Sequence, residues 1–170
     1  MPVVINSGSG NQGLTVSLPV LEYAREYGKS REDVYRALAV ANLCAIHQKT
    51  AIGKLSAYCG AVTAGSGAGA GIAYLLTGDY NAVAHTIVNA LAIVSGIVCD
   101  GAKPSCAAKI ASAVDAGILG FEMYRNGREF YGGDGILSKG IENTIRNVGE
   151  LGRDGMRETD RKILQIMTQN

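Results

Sequence analysis

Two of the four cysteines, Cys99 and Cys106, bracket the segment Cys-Asp-Gly-Ala-Lys-Pro-Ser-Cys. Its Asp-Gly pair and its proline break helices, so Cys99 is predicted to lie on a loop. Ser105 is predicted to cap a helix that begins at Cys106, and the positive end of that helix, with Lys103 nearby, favours a thiolate there. Thiolates on a loop and at a helix start are suitable ligands for an iron–sulfur cluster.

The spacing of these cysteines does not by itself establish a metal site, because it matches no general zinc or ferredoxin pattern. From spacing alone, two buried structural cysteines in an alanine-rich core are the favoured interpretation. Cys44 lies on the apolar face of another predicted helix. We expect it to be a small buried hydrophobic residue and not a ligand.

The glycine-rich segment 6–13 is a second candidate site, with the sequence Asn-Ser-Gly-Ser-Gly-Asn-Gln-Gly. It precedes a predicted helix, so its backbone N–H groups are suited to bind a substrate carboxylate. A glycine-rich turn with no ligand explains the composition equally well. The candidate substrate-binding residues of this segment are Asn6, Ser7, Gly8, Asn11 and Gln12.

Other conspicuous residues have simpler explanations. His47 and His85 are each isolated in the sequence, so a core or helix-end position is favoured over a proton relay. The run Gly65-Ser-Gly-Ala-Gly-Ala-Gly71 imitates a nucleotide-binding loop, but it lacks the G-x-G-x-x-G register and no predicted strand precedes it. We interpret this run as a site of close helix packing.

These candidates must be positioned by helices. Helical spacing of apolar residues predicts an all-α fold of about six to eight Gly/Ala-rich helices, in one domain over residues 1–170. No stretch alternates well enough to predict a sheet. The predicted helices cover residues 14–27, 30–47, 51–76 with an interruption or bend at 65–71, 79–97, 106–124, and two short amphipathic helices within 137–167.

Composition restricts the class of protein. Sixteen basic and fifteen acidic residues give a formal net charge of +1, so no overall field attracts nucleic acid or a membrane surface. Two long uncharged stretches are interpreted as buried helices and not membrane spans, because Asn81, His85 and Asn89 recur along one face of the second. The first residues lack the features of a secretory signal, so we expect a cytoplasmic protein with reduced thiols.

The segment Ser95–Asp115 closely resembles the cluster-binding segment of the L-cysteine desulfidase group, which is related to the iron–sulfur L-serine dehydratase α chain. Its sequence is Ser-Gly-Ile-Val-Cys-Asp-Gly-Ala-Lys-Pro-Ser-Cys-Ala-Ala-Lys-Ile-Ala-Ser-Ala-Val-Asp. Segment 6–13 and Gly53-Lys-Leu-Ser-Ala-Tyr-Cys-Gly-Ala61 resemble the other glycine-rich segments of this group. The resemblance covers essentially the whole chain, but only the C-terminal part of the family's longer chain.

The resemblance implies that Cys59, Cys99 and Cys106 are the three ligands of a [4Fe–4S] cluster. It implies a lyase of amino-acid catabolism that converts L-cysteine or L-serine into pyruvate and ammonia. Serine dehydratases have a longer spacer between their last two ligands, so the short spacer here favours the desulfidase-like branch and leaves the substrate open.

No convincing base for the substrate's Cα proton is evident in the chain. The resemblance therefore also implies a partner, either a missing N-terminal half or a separate subunit. A homodimer is a further alternative for its assembly. A non-catalytic binding or regulatory fragment of the same fold is the alternative for its function.

Overall fold

The structure is a computed structural model that describes residues 3–169. This part of the chain contains seven α-helices and no β-strand, which confirms the predicted all-α class. The helices are α1 (Gly10–Glu26), α2 (Arg31–Ile52), α3 (Gly60–Thr77), α4 (Tyr80–Val94), α5 (Cys106–Arg125), α6 (Ile141–Glu150) and α7 (Arg157–Thr168), with a π-helical segment, Leu151–Gly155, between the last two.

Helix α3 lies at the centre of the molecule. Every residue from Ala61 to Ala73 is buried, and the helix packs against α1, α2, α4 and α5. A helix that is apolar on all its faces requires neighbours on all of them. Most of the buried apolar residues of these five helices belong to one hydrophobic cluster.

The glycine run of α3 allows its neighbours to approach closely. A β-carbon on Gly67 would lie 2.7 Å from the Ala41 carbonyl oxygen of α2, and one on Gly69 would lie 2.6 Å from the Gly117 carbonyl oxygen of α5. Alternate glycines therefore face two different helices at backbone contact. The predicted close packing is confirmed, and α3 is continuous, so the helix is not interrupted at 65–71.

Several helix boundaries differ from the prediction, and those of α1, α2 and α3 affect segments that carry candidate site residues. Helix α1 begins at Gly10 and not at residue 14, because the Ser9 side chain accepts the backbone N–H of Gln12 and caps the helix. Helix α2 continues to Ile52, and residues 53–59 form a loop inside the predicted third helix. Gly53 ends α2 with a φ of 98°, which favours glycine.

Other helix ends agree with the prediction. Ser30 forms a capping box with Asp33 at the start of α2, and Asp79 caps α4 by accepting two backbone N–H groups. Helices α6 and α7 are the two short C-terminal helices that were predicted. Between residues 3 and 169, no helix combines the length and the apolar character needed to cross a bilayer.

Candidate functional site: a cavity lined by three cysteines

The N-termini of α1, α3 and α5 meet around one cavity of about 210 Å³, here called the cysteine cavity. Cys59 immediately precedes α3, Cys99 lies on the loop before α5, and Cys106 is the first residue of α5. All three line this cavity, whereas Cys44 does not. Three helices direct the positive ends of their dipoles to the same space, so anionic groups are favoured there.

Backbone hydrogen bonds hold the loops that carry Cys59 and Cys99 side by side. The N–H of Cys59 donates to the carbonyl of Ile97 at 3.1 Å, and the N–H of Cys99 donates to the carbonyl of Ala57 at 2.6 Å. Together they form an isolated antiparallel β-bridge. The main chain therefore brings these two cysteines together, although their loops are far apart in sequence.

Cys106 begins α5 as predicted, but its surroundings differ from the prediction. Ser105 makes no side-chain cap, because the residues before it already form a turn in which the Cys106 N–H donates to the Lys103 carbonyl at 2.9 Å. The donor to the Cys106 sulfur is the backbone N–H of Lys103, 3.4 Å from Sγ. The predicted cap is wrong, and the sulfur is supported by the preceding turn.

An ion-pair cluster stabilises the loop 99–106. The Asp100 carboxylate lies 2.5 Å from Lys109 Nζ and 3.2 Å from Lys103 Nζ. Hydrogen bonds from Lys109 and then from Lys103 lower the pKa of Asp100 to about 2. Lys109 also donates to the carbonyl of Val98 at 2.9 Å, so one ammonium group of α5 binds the loop at two points.

The three thiols of the cavity influence each other. Burial raises the pKa of Cys59, and the charges of Cys99 and Cys106 act in the same direction. The backbone N–H of Ala61 and the ammonium of Lys109 oppose this effect. Three ionised thiolates in one cavity repel each other, so they require a cationic group to stabilise them together.

Sequence reasoning missed Lys49, a buried cation of the same cavity. It lies in the last turn of α2, is 5% exposed and lines the cavity. None of the ion pairs in the described chain includes it. Burial lowers the pKa of Lys49, and the charges of Cys99, Cys59 and Asp160 oppose that shift. Nothing in the sequence around Lys49 distinguishes it from an ordinary lysine near a helix end, because its burial depends on segments distant along the chain.

Two more buried polar atoms at the cavity, Gln12 Oε1 and the Tyr58 hydroxyl, have no hydrogen-bond partner within residues 3–169. Gln12 is 9% exposed, and Tyr58 is fully buried. The Gln12 side chain packs over Gly60, where a β-carbon would lie 2.5 Å from Nε2. Burial raises the pKa of Tyr58, so its hydroxyl remains protonated. Unpaired buried polar atoms are uncommon and indicate a bound water or ligand.

The donor set of the cavity is three thiols, the ligand type that iron–sulfur clusters take. Across the described residues, no three His, Cys, Asp or Glu side chains converge as ligands of one metal ion. The three thiols instead occupy separate parts of the wall: the start of α3, the loop 99–106 and the start of α5. Iron–sulfur clusters take thiolate ligands on different irons, so separated thiols meet that requirement.

The glycine-rich segment contributes to the cavity only in part. Asn6 and Ser7 lie outside the cavity wall. Asn6 is buried and donates to Asn42 Oδ1 at 2.8 Å, while the Ser7 hydroxyl donates to Asn6 Oδ1 at 2.7 Å, so both residues hold the segment in place. The candidate substrate-binding residues that line the cavity are Gly8, Asn11 and Gln12.

Cys44 and His47 lie elsewhere on α2. Cys44 packs against the core, and burial, followed by the charge of Glu142, raises its pKa to about 11. His47 is exposed, with Nε2 at 2.9 Å from a carboxylate oxygen of Glu142 on α6. Neither residue lines the cysteine cavity.

His85 lines a second cavity of about 340 Å³, here called the His85 cavity, between α4 and the segment 129–141. Its Nδ1 lies 2.6 Å from a carboxylate oxygen of Glu129, and its ring stacks on Tyr124 with a centroid distance of 5.2 Å. The Tyr124 hydroxyl in turn donates to Asp79 at 3.3 Å. The polar side chains around His85 are therefore paired with one another.

Known proteins resemble this chain along nearly all of its length. A UPF0597 protein of Desulfitobacterium hafniense (strain Y51) is 67% identical over 167 residues, which are 98% of this chain and 39% of that protein. A UPF0597 protein of Treponema denticola is 57% identical over 166 residues, 98% of this chain and 38% of its own length. The chain thus spans about two fifths of the length of these relatives. No solved structure matches it.

The family model for the serine dehydratase alpha chain matches residues 1–165. That range includes the three helix N-termini and both loops that form the cysteine cavity. This 170-residue chain belongs to the serine dehydratase alpha chain family.

Proposed function

We propose that this chain is the cluster-binding part of an iron–sulfur lyase that acts on L-cysteine or L-serine. The observation that supports it most directly is the single cavity lined by Cys59, Cys99 and Cys106 in a member of this family. In this proposal the three thiolates hold a [4Fe–4S] cluster. When bound, such a cluster supplies one iron without a protein ligand, a Lewis acid for a poor leaving group.

The proposed reaction is a β-elimination. The Cα–H bond breaks, its electron pair forms a Cα=Cβ double bond, and the bond from Cβ to sulfur or oxygen breaks. The resulting aminoacrylate takes up water and yields pyruvate and ammonia. With L-cysteine the leaving group departs as sulfide, and with L-serine it departs as water.

The chain's own residues bind and orient in this proposal. Lys109 and the backbone N–H of Lys103 stabilise the thiolates, and the start of α1 faces the substrate. Neither histidine of the described chain lines the cavity. We therefore place the base for the Cα proton outside this chain, in the remaining length of the longer proteins or on a separate subunit.

Anaerobic reconstitution with iron and sulfide tests the proposal. We expect about four iron atoms and four sulfides per chain, with no appreciable pyruvate from L-cysteine or L-serine. Adding the remaining part of a full-length relative, in cis or in trans, should produce activity, and Cys99→Ala should abolish it. Failure to bind a cluster contradicts the lyase assignment, and robust turnover by the isolated chain contradicts the division of labour. Cluster binding without activity after complementation would favour a non-catalytic binding role.

A further inference from the structure

We infer that Lys49, Tyr58 and Gln12 form the subsite that binds the zwitterionic head group of the amino-acid substrate. Lys49 and the Tyr58 hydroxyl donate to the α-carboxylate, and Gln12 Oε1 accepts from the α-ammonium group. The inference deepens the proposed lyase function and rests on it. It assigns a role to three residues of one cavity: within the described chain, Gln12 Oε1 and the Tyr58 hydroxyl have no hydrogen-bond partner, and Lys49 forms no ion pair.

Lys49 supplies the charge for a carboxylate. Its side chain is 5% exposed, yet no carboxylate of residues 3–169 forms an ion pair with it. A buried ammonium that forms no ion pair is unfavourable. The charges of Cys99, Cys59 and Asp160 act on Lys49, and a carboxylate bound in the cavity would offset the remaining cost. The exposed Lys54 lines the same cavity, but it is solvated and has no such requirement.

Tyr58 and Gln12 supply complementary hydrogen-bonding groups. The Tyr58 hydroxyl is fully buried and without a partner in the described chain, and a phenol O–H can donate to a carboxylate oxygen. Gln12 Oε1 only accepts, and its Nε2 already donates to Ser9 Oγ at 3.2 Å. A carboxylate cannot pair with Gln12 Oε1, whereas an ammonium group can.

Together these groups match an α-amino acid better than a simpler ion. A plain carboxylate has no donor and would leave Gln12 Oε1 unpaired, and a plain amine would leave Lys49 without an anion. A head group held here also has its side chain in the same cavity as Cys59. The subsite therefore recognises the head group that L-cysteine and L-serine share. The β-substituent then extends toward the cysteines of the cavity.

Binding of non-reacting ligands to the 170-residue chain tests the inference. L-Alanine lacks a β leaving group, L-alaninol lacks the carboxylate, and propionate lacks the ammonium group. We expect calorimetry on the reconstituted chain to show that L-alanine binds most tightly. Lys49→Met should weaken L-alanine binding by about tenfold or more and leave L-alaninol binding nearly unchanged, because a charged hydrogen bond is lost. Gln12→Met should weaken L-alanine but not propionate.

Lys54→Met is the matched control, since it removes the same charge from an exposed residue of the same cavity. We expect it to change L-alanine affinity less than twofold. Equal losses in the two lysine variants would indicate a general field effect and overturn the inference. Equal binding of L-alanine and L-alaninol to the wild-type chain, or no binding of L-alanine, would also overturn it.

A second measurement on the wild-type chain does not depend on how the variants fold. Saturating L-alanine should slow the reaction of Lys49 with an amine-reactive reagent severalfold, as measured by peptide mass spectrometry, and L-alaninol should not. Absence of protection contradicts the inference. Iron content separates the two proposals. If the chain binds no cluster but still prefers L-alanine in a Lys49-dependent way, the subsite inference holds and the lyase proposal fails. Loss of the cluster in Lys49→Met with the ligand preference intact would show that Lys49 only balances the thiolates.

Discussion

The cysteine cavity and the His85 cavity differ in how their polar groups are paired. At the His85 cavity, His85 pairs with Glu129 at 2.6 Å. The adjoining Asn89 is fully buried and uses both ends of its amide: Nδ2 donates to the carbonyl of Gly120 at 3.0 Å, and Oδ1 accepts the N–H of Phe130 at 3.1 Å. These groups join α4 to α5 and to the following segment, and their hydrogen-bonding capacity is used within the protein.

At the cysteine cavity three residues of the wall keep a buried polar group unpaired. Lys49 forms no ion pair, and Gln12 Oε1 and the Tyr58 hydroxyl have no hydrogen-bond partner in the described chain. The cavity that these residues line is the smaller of the two, about 210 Å³ against about 340 Å³, so size does not identify the better candidate site. The unpaired groups distinguish it from the His85 cavity, because a folded protein retains such groups at a cost.

The largest expected effect is a difference in bound iron between a variant of the cysteine cavity and a variant of the His85 cavity. Cys59→Ala should reduce the iron bound after anaerobic reconstitution to background, because only two of the three thiolates remain. His85→Ala should leave iron and sulfide content unchanged, since His85 lines the other cavity. Iron analysis and the visible absorption of the cluster measure both. Loss of iron in His85→Ala alone would reverse the comparison.

The alkylation rate of Cys44 tests the burial of this thiol, which lies on α2 outside the cysteine cavity. Cys44 should react with iodoacetamide at neutral pH about a hundredfold more slowly than a model thiol, because burial raises its pKa to about 11 and few thiolates form. Its rate should rise with pH until about 11. Peptide mass spectrometry of the cluster-free chain gives the rate for each cysteine, and a plateau for Cys44 near pH 9 would contradict the expectation.

Removing a satisfied amide should destabilise the fold. Asn89→Ala leaves the carbonyl of Gly120 and the N–H of Phe130 without their partner, and we expect a loss of about 2 kcal/mol in the free energy of unfolding. Urea denaturation measures it. Asn143→Ala is the control, because Asn143 is exposed and should change stability by less than about 0.5 kcal/mol.

Removing an unpaired hydroxyl should raise the free energy of unfolding, and this is the smallest of the expected effects. Tyr58→Phe deletes a buried group with no partner, so we expect the free energy of unfolding to rise by about 1 kcal/mol while L-alanine binding weakens. Tyr131→Phe, at an exposed tyrosine, should alter neither. A destabilised Tyr58→Phe variant would mean that the hydroxyl is satisfied in the free protein, and the contrast between the cavities would disappear.

The sequence predicts local features of the fold well and long-range ones poorly. The helix starts expected at residues 30 and 79 are confirmed, because a cap such as Ser30 or Asp79 depends on residues a few positions away. An interruption at 65–71 is expected from the low helix propensity of glycine, but tertiary packing decides there, since only glycine permits the contacts that α3 makes with α2 and α5. Residues 53–59 are predicted as helix because their composition is largely apolar, but they form a loop between α2 and α3.

The same limit applies to the candidate site. Cys99 and Cys106 stand in one short segment, so their placement around a helix start was predictable, whereas the absent side-chain cap at Ser105 depends on the turn before it. Lys49 was missed because nothing near it in sequence shows that it is buried. Its importance arises only when α2 is placed beside the loops that carry the cysteines.

The β-bridge that joins the two cysteine loops has a consequence for how the site is assembled and repaired. Small zinc domains collapse when their metal leaves, because the metal is what holds their ligands together. Here the hydrogen bonds from Cys59 to Ile97 and from Cys99 to Ala57 join the loops through main-chain atoms, which are not the metal-binding atoms of a cysteine. If the cavity binds the proposed cluster, these bonds can persist when the cluster is lost, and a new cluster can then be inserted without refolding of the chain.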